Sequence, residues 1–143
     1  MKINDKRIYF WFALVMLVLA LVFGSIACYS FCVVNPEIQS HLQAEENISK
    51  HYRDAYIMLR SPHVFAGYDR FDSNAMGIRT ILREFDRRVA DKEPFLEEHY
   101  IYLNMLFERR QKGAILARNA AVFLFLLSIM GWGFYYNERR KKA

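Results

Sequence analysis

The sequence contains few of the residues from which catalytic and metal sites are usually built. It has two cysteines, four histidines and six glycines among its 143 residues. It contains no glycine-rich phosphate loop, no nucleophile elbow and no His-Glu zinc helix motif. We therefore predict a non-catalytic protein with no resident cofactor and no metal ion.

Two pairs of possible metal-binding residues are each spaced four residues apart, so that the members of each pair would lie on one face of a helix. Cys28 and Cys32 are four residues apart, which suits an internal disulfide poorly, and two thiols alone do not complete a four-ligand zinc site. We expect them to be buried as small apolar residues, with a disulfide to another copy of the chain as the alternative. His41 and Glu45 share a helix face, with His51 further along, and we expect a solvated surface there.

Charge is absent from two long stretches of the chain, residues 8–36 and 119–137. As helices rising about 1.5 Å per residue, they would be about 43 Å and about 28 Å long, against a hydrocarbon core of about 30 Å. The sequence therefore predicts two transmembrane helices, at 8–34 and at 113–137, the second including an outer extension. The first stretch is longer than the apolar core of a signal peptide, which favours a retained helix over a cleaved signal.

Positive charge is concentrated in the two tails. Residues 1–7 and 138–143 hold seven Lys or Arg and two acidic residues, whereas residues 37–112 hold 12 basic and 13 acidic residues. Short positive tails stay in the cytoplasm, so we predict cytoplasmic termini, at a bacterial inner membrane, with residues 35–112 outside. The basic residues Arg109, Arg110, Lys112 and Arg118, just outside the second stretch, favour the opposite orientation. Nucleic acid is not an expected partner, because the segment between the stretches is nearly neutral.

Aromatic and basic residues flank both apolar stretches, as expected for side chains at a membrane–water interface. The lipid bilayer is therefore an expected partner, and each basic residue in the tails adds about 1 kcal/mol of attraction to anionic head groups. The predicted interface anchors are Lys6, Arg7, Trp11, Arg118, Trp132, Tyr135, Tyr136, Arg139 and Arg140.

Small residues recur at every fourth position in both predicted membrane helices. Small side chains let helix backbones approach closely in lipid, where association does not depend on expelling water. We expect a close packing face, either between the two helices or between copies of the chain. The residues concerned are Ala20, Gly24, Cys28 and Cys32 in the first helix and Gly113, Ala117 and Ala121 in the second.

The segment between the apolar stretches has the periodicity of amphipathic helices. Asn35 and Pro36 predict a helix start, where the proline ends or bends the first membrane helix. The apolar pattern of residues 38–59 predicts one helix of about six or seven turns, followed by a connection at residues 60–74. A third helix, capped by Asp72 or Ser73, has an apolar side formed by Ile78, Ile81, Leu82, Phe85 and Val89.

A break at residues 91–94 precedes the last helix, which the sequence predicts to continue into the second membrane stretch. Gly113 is tolerated within a helix, and no stronger helix breaker lies between Phe107 and Arg118. The apolar stripe of this helix consists of Leu96, Tyr100, Leu103, Leu106 and Phe107.

The sequence thus predicts an all-α membrane protein, a transmembrane hairpin that carries a small helical extracytoplasmic domain. Its parts are the basic tails 1–7 and 138–143, the membrane helices 8–34 and 113–137, and the domain 35–112. Because the tails are too short to hold an output domain, we expect the protein to act through other membrane subunits, a second copy of itself, or both. The first hypothesis is an accessory, assembly or stabilising subunit of a larger membrane complex, which docks through the small-residue membrane faces and the outer domain.

The second hypothesis is a homodimeric sensory module. A membrane helix, an outer helical bundle and a returning membrane helix resemble the topology of bacterial chemoreceptor ligand-binding regions, although the likeness includes no motif. This resemblance implies a ligand-binding ectodomain that signals laterally to a membrane partner. A small phage or toxin-system membrane protein is a third class of function.

Overall fold

Helices account for nearly all of the chain that the structure describes. The computed structural model describes residues 5–61 and 75–141. Of the residues in those two ranges 90% are helical, and none is in a β-strand. The predicted all-α class is therefore confirmed, and so is the presence of two long helices that are apolar enough to cross a membrane.

The described residues form five α-helices, one π-helical turn and one 3₁₀ turn along the chain. The described elements are α1 (Asp5–Tyr29), a π-helical turn (Ser30–Val34), α2 (Asn35–Leu42), α3 (Ile48–Arg60), α4 (Ala75–Ala90), a 3₁₀ turn (Glu97–His99) and α5 (Tyr100–Lys141). By its contacts the chain divides into two units. We call Met1–Cys28 with Ile115–Ala143 the helix pair, and Tyr29–Ala114 the helical unit.

A π-helical turn precedes the proline that was expected to end or bend the first apolar helix. The backbone N–H of Asn35 donates to the carbonyl of Ser30, five residues earlier. Proline has no N–H and its ring crowds the carbonyl four residues back, so a wider turn just before Pro36 lets the helix continue. The prediction that Asn35 caps a new helix is wrong, because Asn35 has helical dihedral angles. Its buried side-chain amide has no hydrogen-bond partner within the described residues.

The predicted single helix over residues 38–59 is instead two helices, α2 and α3. Asn47 adopts a left-handed conformation with φ of 51°, which a right-handed helix cannot contain and which asparagine tolerates better than most residues. The break lets Leu42 of α2 and Tyr52 of α3 contribute to one core. Apolar periodicity continues on both sides of the connection, so the pattern alone did not reveal it.

An aromatic cluster occupies the core of the helical unit. The ring of Phe85 lies 5.3 Å from that of Tyr56, 5.4 Å from that of Phe95 and 5.3 Å from the imidazole of His99, centroid to centroid. The stripe expected on α4 faces this core, because Ile78 and Phe85 are buried and the other members are partly buried. The buried members of the core are Val34, Ile38, Leu42, Tyr52, Ala55, Tyr56, Ile78, Phe85, Phe95, Leu103, Leu106 and Phe107.

The predicted core stripe of the last helix differs in part from the structure, and most of the predicted connection at residues 60–74 lies outside the described residues. Leu96 and Tyr100, expected in the core stripe of the last helix, are exposed. The 3₁₀ turn at Glu97–His99 precedes α5, so the angular spacing of an α-helix does not apply before Tyr100. Most of the predicted connection at 60–74, with both proposed caps of α4, lies outside the described residues.

Asp86 links α3 to α4 through two different donors. The hydroxyl of Tyr56 donates to the Asp86 carboxylate and to the carbonyl of Leu82, the latter at 3.1 Å. The guanidinium of Arg60 donates to both carboxylate oxygens, at 3.3 and 3.1 Å. Burial, followed by the hydrogen bond to Asp86, raises the pKa of Tyr56 above its ordinary value. The hydroxyl therefore remains a donor at neutral pH.

Arg110 of α5 is buried and contacts the C-terminal end of α3. Its Nη1 donates to the carbonyls of Met58 and Ser61, at 3.4 and 3.3 Å. The last carbonyls of a helix lack intrahelical partners and carry partial negative charge, so a cation is favourable there. Burial lowers the pKa of Arg110 from its ordinary value, yet arginine remains charged in proteins. This basic residue thus has a role in packing that does not depend on membrane orientation.

Candidate functional site

In the helix pair, small residues are buried and large apolar residues are exposed. Ala13, Ala20 and Ala27 of α1 are buried, and so are Ala117 and Ser128 of α5. This is the reverse of the distribution in a water-soluble helix pair, which buries its large apolar side chains. The exposed residues include Val15, Val18, Leu19, Leu21, Val22, Val122, Phe123, Phe125, Leu126, Ile129 and Met130.

The residues predicted to form a packing face divide into two groups. Ala20 and Ala117 are buried, and a Cβ atom placed on Gly24 would lie 3.8 Å from the Cβ of Ala121. Cys28 and Cys32 are exposed, and Gly113 is buried within the helical unit. The expectation that the two cysteines are buried is not met.

The periodicity of α1 explains why the cysteines leave the packing face. A step of four residues turns the helix by about 400°, so each step drifts by about 40°, and Cys28 is about 80° from Ala20. Cys32 lies beyond α1, in the π-helical turn. A step of seven residues drifts by only about 20° in the opposite sense. The alanines at 13, 20 and 27 therefore stay on one face. The sequence contains this seven-residue repeat, and the four-residue pattern on which the prediction was based does not follow one face of the helix.

The closest approach of the two helices is near Ala13. The hydroxyl of Ser128 donates to the carbonyl of Ala13 at 2.9 Å. A Cβ atom placed on Gly131 would lie 2.9 Å from the Cβ of Ala13 and 3.2 Å from its Cα. Only glycine therefore fits at position 131. Hydrogen bonds between helices and small residues at the contact are both typical of helix association in lipid.

Aromatic residues near the chain ends also contact one another within the helix pair. The ring of Phe10 lies 5.5 Å from that of Trp132 and 5.9 Å from that of Tyr135, so these two predicted anchors pack against α1. The remaining predicted anchors lie at the surface. Lys6 is half-buried, and the exposed ones are Arg7, Trp11, Arg118, Tyr136, Arg139 and Arg140.

The start of α5 exposes a group of large apolar residues on the helical unit. We call Leu96, Tyr100, Ile101 and Tyr102 the α5 patch. All four are exposed, and Ile101 is the most exposed, at 72%. The sequence placed Leu96 and Tyr100 in the core, so this surface was not anticipated. Exposed aromatic residues are enriched at protein interaction sites relative to the rest of the surface.

The segment that leads into the α5 patch is held by side chains from α3 and α4. Arg53 donates to the carbonyl of Glu93 at 3.0 Å, and Arg88 donates to the carbonyl of Pro94 at 3.1 Å. The backbone N–H of Phe95 donates to the hydroxyl of Ser49 at 3.0 Å. Three consecutive residues are thus fixed from both sides. The patch is therefore presented by a rigid support.

The buried side chain of His99 forms a hydrogen bond with the backbone of the α5 patch. Its Nδ1 accepts a hydrogen bond from the backbone N–H of Leu96 at 3.0 Å, so this nitrogen carries no proton. The imidazole is buried against Phe85 and Phe95. Burial, with a smaller contribution from the positive charge of Arg88, lowers the pKa of His99 below its ordinary value.

We expect the stability of the helical unit to fall as the pH decreases below about 6.5, the ordinary pKa of histidine. The unfolded chain binds a proton at His99 before the folded chain does, so acid favours unfolding. One such group contributes at most about 1.4 kcal/mol per pH unit. Thermal unfolding followed by circular dichroism between pH 7.5 and 5.5 measures the slope. In His99→Gln, the amide oxygen of glutamine can still accept the hydrogen bond from the Leu96 N–H, and the slope of stability against pH should decrease. An unchanged slope would show that groups other than His99 cause the pH dependence.

A shallow cleft between α3 and α4 is the second surface feature of the helical unit. Its volume is about 410 Å³, and it is lined by Tyr56, Ile57, Arg60, Ser61, Asp86 and Val89. The ion pair between Arg60 and Asp86 supplies its charged groups. The cleft therefore combines an apolar wall with one cation and one anion.

Neither the described residues nor known proteins supply a further assignment. Within residues 5–61 and 75–141, no group of three or more His, Cys, Asp or Glu is placed to hold a metal ion. Comparison of the chain with protein-family models, curated proteins and solved structures found no match.

Proposed function

We propose that this chain is a membrane-anchored, non-catalytic interaction protein, an accessory or assembly subunit that stabilises a larger membrane complex. The observation that carries this proposal is the α5 patch. It exposes four large apolar side chains on a unit in which Tyr52, Tyr56, Phe85, Phe95 and Phe107 are buried in the core. A surface of this kind costs solubility unless a partner covers it.

Membrane insertion of α1 and of the C-terminal part of α5 is the first part of the proposal. A long apolar helix in a water-soluble protein is normally buried in the core. Here only 17% of the most apolar window of the first helix and 22% of that of the second are buried. Lipid is the solvent that suits such exposed side chains, and the small-residue contact between the helices agrees with it.

We propose that both termini are cytoplasmic, which cysteine labelling in intact cells tests. In a variant with Cys28 and Cys32 replaced by serine, single cysteines are placed at Glu46 and at Arg139, both exposed. A membrane-impermeant maleimide should label position 46 in intact cells and position 139 only after the cells are opened. The reverse result would invert the proposed topology and would remove the extracytoplasmic domain from the proposal.

The proposed partner of the α5 patch is another protein subunit rather than the lipid surface. Glu97 and Glu98 lie within the patch sequence and are exposed. Anionic head groups would repel these carboxylates, whereas a protein partner with a basic rim would be attracted to them. Small residues of the membrane helices, among them Ala20 and Ala117, are buried within one chain, and docking of a partner through the small-residue faces stays part of the proposal.

A matched pair of variants tests the docking proposal. The full-length protein is purified from its native membrane in mild detergent, and the proteins that accompany it in fixed ratio are identified by mass spectrometry. Ile101→Asp should remove the partner, because a carboxylate would have to be buried without a counter-charge. Ile57→Asp is the control, because Ile57 is exposed on α3 outside the patch.

The expected result is loss of the partner in Ile101→Asp and its retention in Ile57→Asp, with both variants folded by circular dichroism. Retention of the partner in Ile101→Asp would show that the α5 patch is not the docking surface. Purification of the wild-type protein with no stoichiometric partner, from membranes in which it is normally made, would overturn the subunit proposal itself.

A homodimeric sensory module is the second candidate, and the cleft between α3 and α4 favours it. Arg60 and Asp86 could pair with the carboxylate and the ammonium group of a small zwitterion. The probe is a panel of amino acids added to the purified protein, with thermal stability as the readout. Stabilisation of the wild type but not of Arg60→Gln, in a chain that is dimeric by light scattering, would support this candidate, and no stabilisation would remove it.

A further inference from the structure

We propose that His41 and His51 form a binding site for a single divalent cation of the Zn²⁺, Cu²⁺ and Ni²⁺ class. The sequence alone predicts a solvated surface at His41 and Glu45, with His51 further along the same helix. The structure brings their Nδ1 atoms to 2.9 Å from each other. Both side chains are half-buried, and both belong to the helical unit.

The break between α2 and α3 creates this pair. His41 is in the last turn of α2, and His51 is in the first turn of α3. The connection over residues 43–47 turns the chain back at the left-handed Asn47. The two imidazoles then lie with ring centroids 5.2 Å apart. A continuous helix would hold residues ten positions apart about 15 Å from each other along its axis.

The distance between the two nitrogens fits a shared metal ion. Imidazole nitrogens bind Zn²⁺ at about 2.05 Å, so two of them on one ion are about 2.9 Å apart at a right angle and about 3.3 Å apart at a tetrahedral angle. In the structure the two atoms are already within this range. A tetrahedral Zn²⁺ ion would require the two nitrogens to separate by about 0.4 Å and the rings to turn so that both lone pairs point at the ion.

The surroundings favour a cation over the alternatives. The C-terminal end of a helix carries partial negative charge, and His41 is in the last turn of α2. Glu45 and Glu46 lie in the connection between the two histidines, and Lys50 precedes His51; all three are exposed. Imidazole suits Zn²⁺, Cu²⁺ and Ni²⁺ and does not suit Ca²⁺ or Mg²⁺. Water would fill the remaining coordination positions, so the site would be open.

Isothermal titration calorimetry with Zn²⁺ tests the proposal on the full-length protein, carrying a purification tag without histidine, in detergent. We expect one Zn²⁺ per chain with a dissociation constant well below about 1 mM. His41→Gln and His51→Gln should each weaken binding by at least about tenfold, since even second-shell changes have effects of that size. His99→Gln is the matched control, because the Nδ1 of His99 already accepts a backbone hydrogen bond.

Equal affinity for Zn²⁺ in the wild type and in His41→Gln would overturn the proposal. Loss of Zn²⁺ binding in His99→Gln, with binding retained in His41→Gln and His51→Gln, would also overturn it. Circular dichroism shows whether each variant is folded. A second measurement does not depend on the variants: electron paramagnetic resonance of the Cu²⁺ complex counts the nitrogen ligands. Two equivalent imidazole nitrogens are expected, and a spectrum with oxygen ligands only would contradict the site.

Discussion

Replacing Phe85 with alanine is expected to lower the free energy of unfolding of the helical unit by about 3–5 kcal/mol. Phe85 is almost fully buried and contacts the rings of Tyr56, Phe95 and His99. Alanine would leave a cavity at the junction of three elements, because the surrounding rings cannot move in far enough to fill it. The support of the α5 patch would be lost with this cluster.

Hydrogen exchange measured by mass spectrometry can locate the effect of Phe85→Ala. Peptides from α3 and α4 should exchange faster by about two to four orders of magnitude, since about 1.4 kcal/mol corresponds to a factor of ten. Ile57→Ala is the control, and it should change stability by no more than about 0.5 kcal/mol because Ile57 is half exposed. Equal effects of the two variants would show that Phe85 is not central to the core.

Replacing Gly131 with alanine is expected to destabilise the helix pair by about 1–3 kcal/mol, the usual consequence of overpacking. The added methyl group would lie 2.9 Å from the Cβ of Ala13 and 3.2 Å from its Cα, and the latter atom moves only with the backbone. The two helices must therefore separate locally. That separation would also weaken the hydrogen bond from Ser128 to the carbonyl of Ala13.

Gly133→Ala provides the control for Gly131→Ala, because a methyl group at residue 133 meets no atom within 4 Å. This variant should be unchanged or more stable by up to about 1 kcal/mol, owing to the better helix propensity of alanine. Tryptophan fluorescence during denaturation in detergent reports on the helix pair alone, because the two tryptophans of the chain, Trp11 and Trp132, both belong to it. A midpoint for Gly131→Ala at or above that of Gly133→Ala would contradict the close approach.

The helical class and the two apolar helices could be predicted from the sequence because each depends on a pattern within one segment. Absence of charge over residues 8–36 and the apolar stripe of α4 are patterns of this kind. The connection between α2 and α3 could not be predicted, because it depends on one residue, Asn47, in a left-handed conformation. Helical periodicity is preserved on either side of such a break.

The candidate sites were missed for a related reason. The pair formed by His41 and His51 exists only when α2 and α3 are folded back on each other. Leu96 of the α5 patch precedes the 3₁₀ turn and so does not follow the α-helical spacing that assigned it to the stripe; Tyr100, the first residue of α5, is exposed although that spacing assigned it to the core. The sequence contains both a four-residue and a seven-residue repeat of small residues in the first apolar helix. The seven-residue repeat of alanines is the one that lies on the packing face of the helix pair.

The inverted distribution of side-chain sizes in the helix pair has a thermodynamic consequence. If α1 and α5 cross a bilayer as we propose, their separation exchanges helix contacts for lipid contacts and exposes little apolar area to water. The heat capacity of that step should be close to zero, because this quantity follows hydration of apolar surface. Unfolding of the helical unit would hydrate its aromatic rings and increase the heat capacity. Calorimetry of the whole chain should therefore resolve one transition with a step in its baseline and one without.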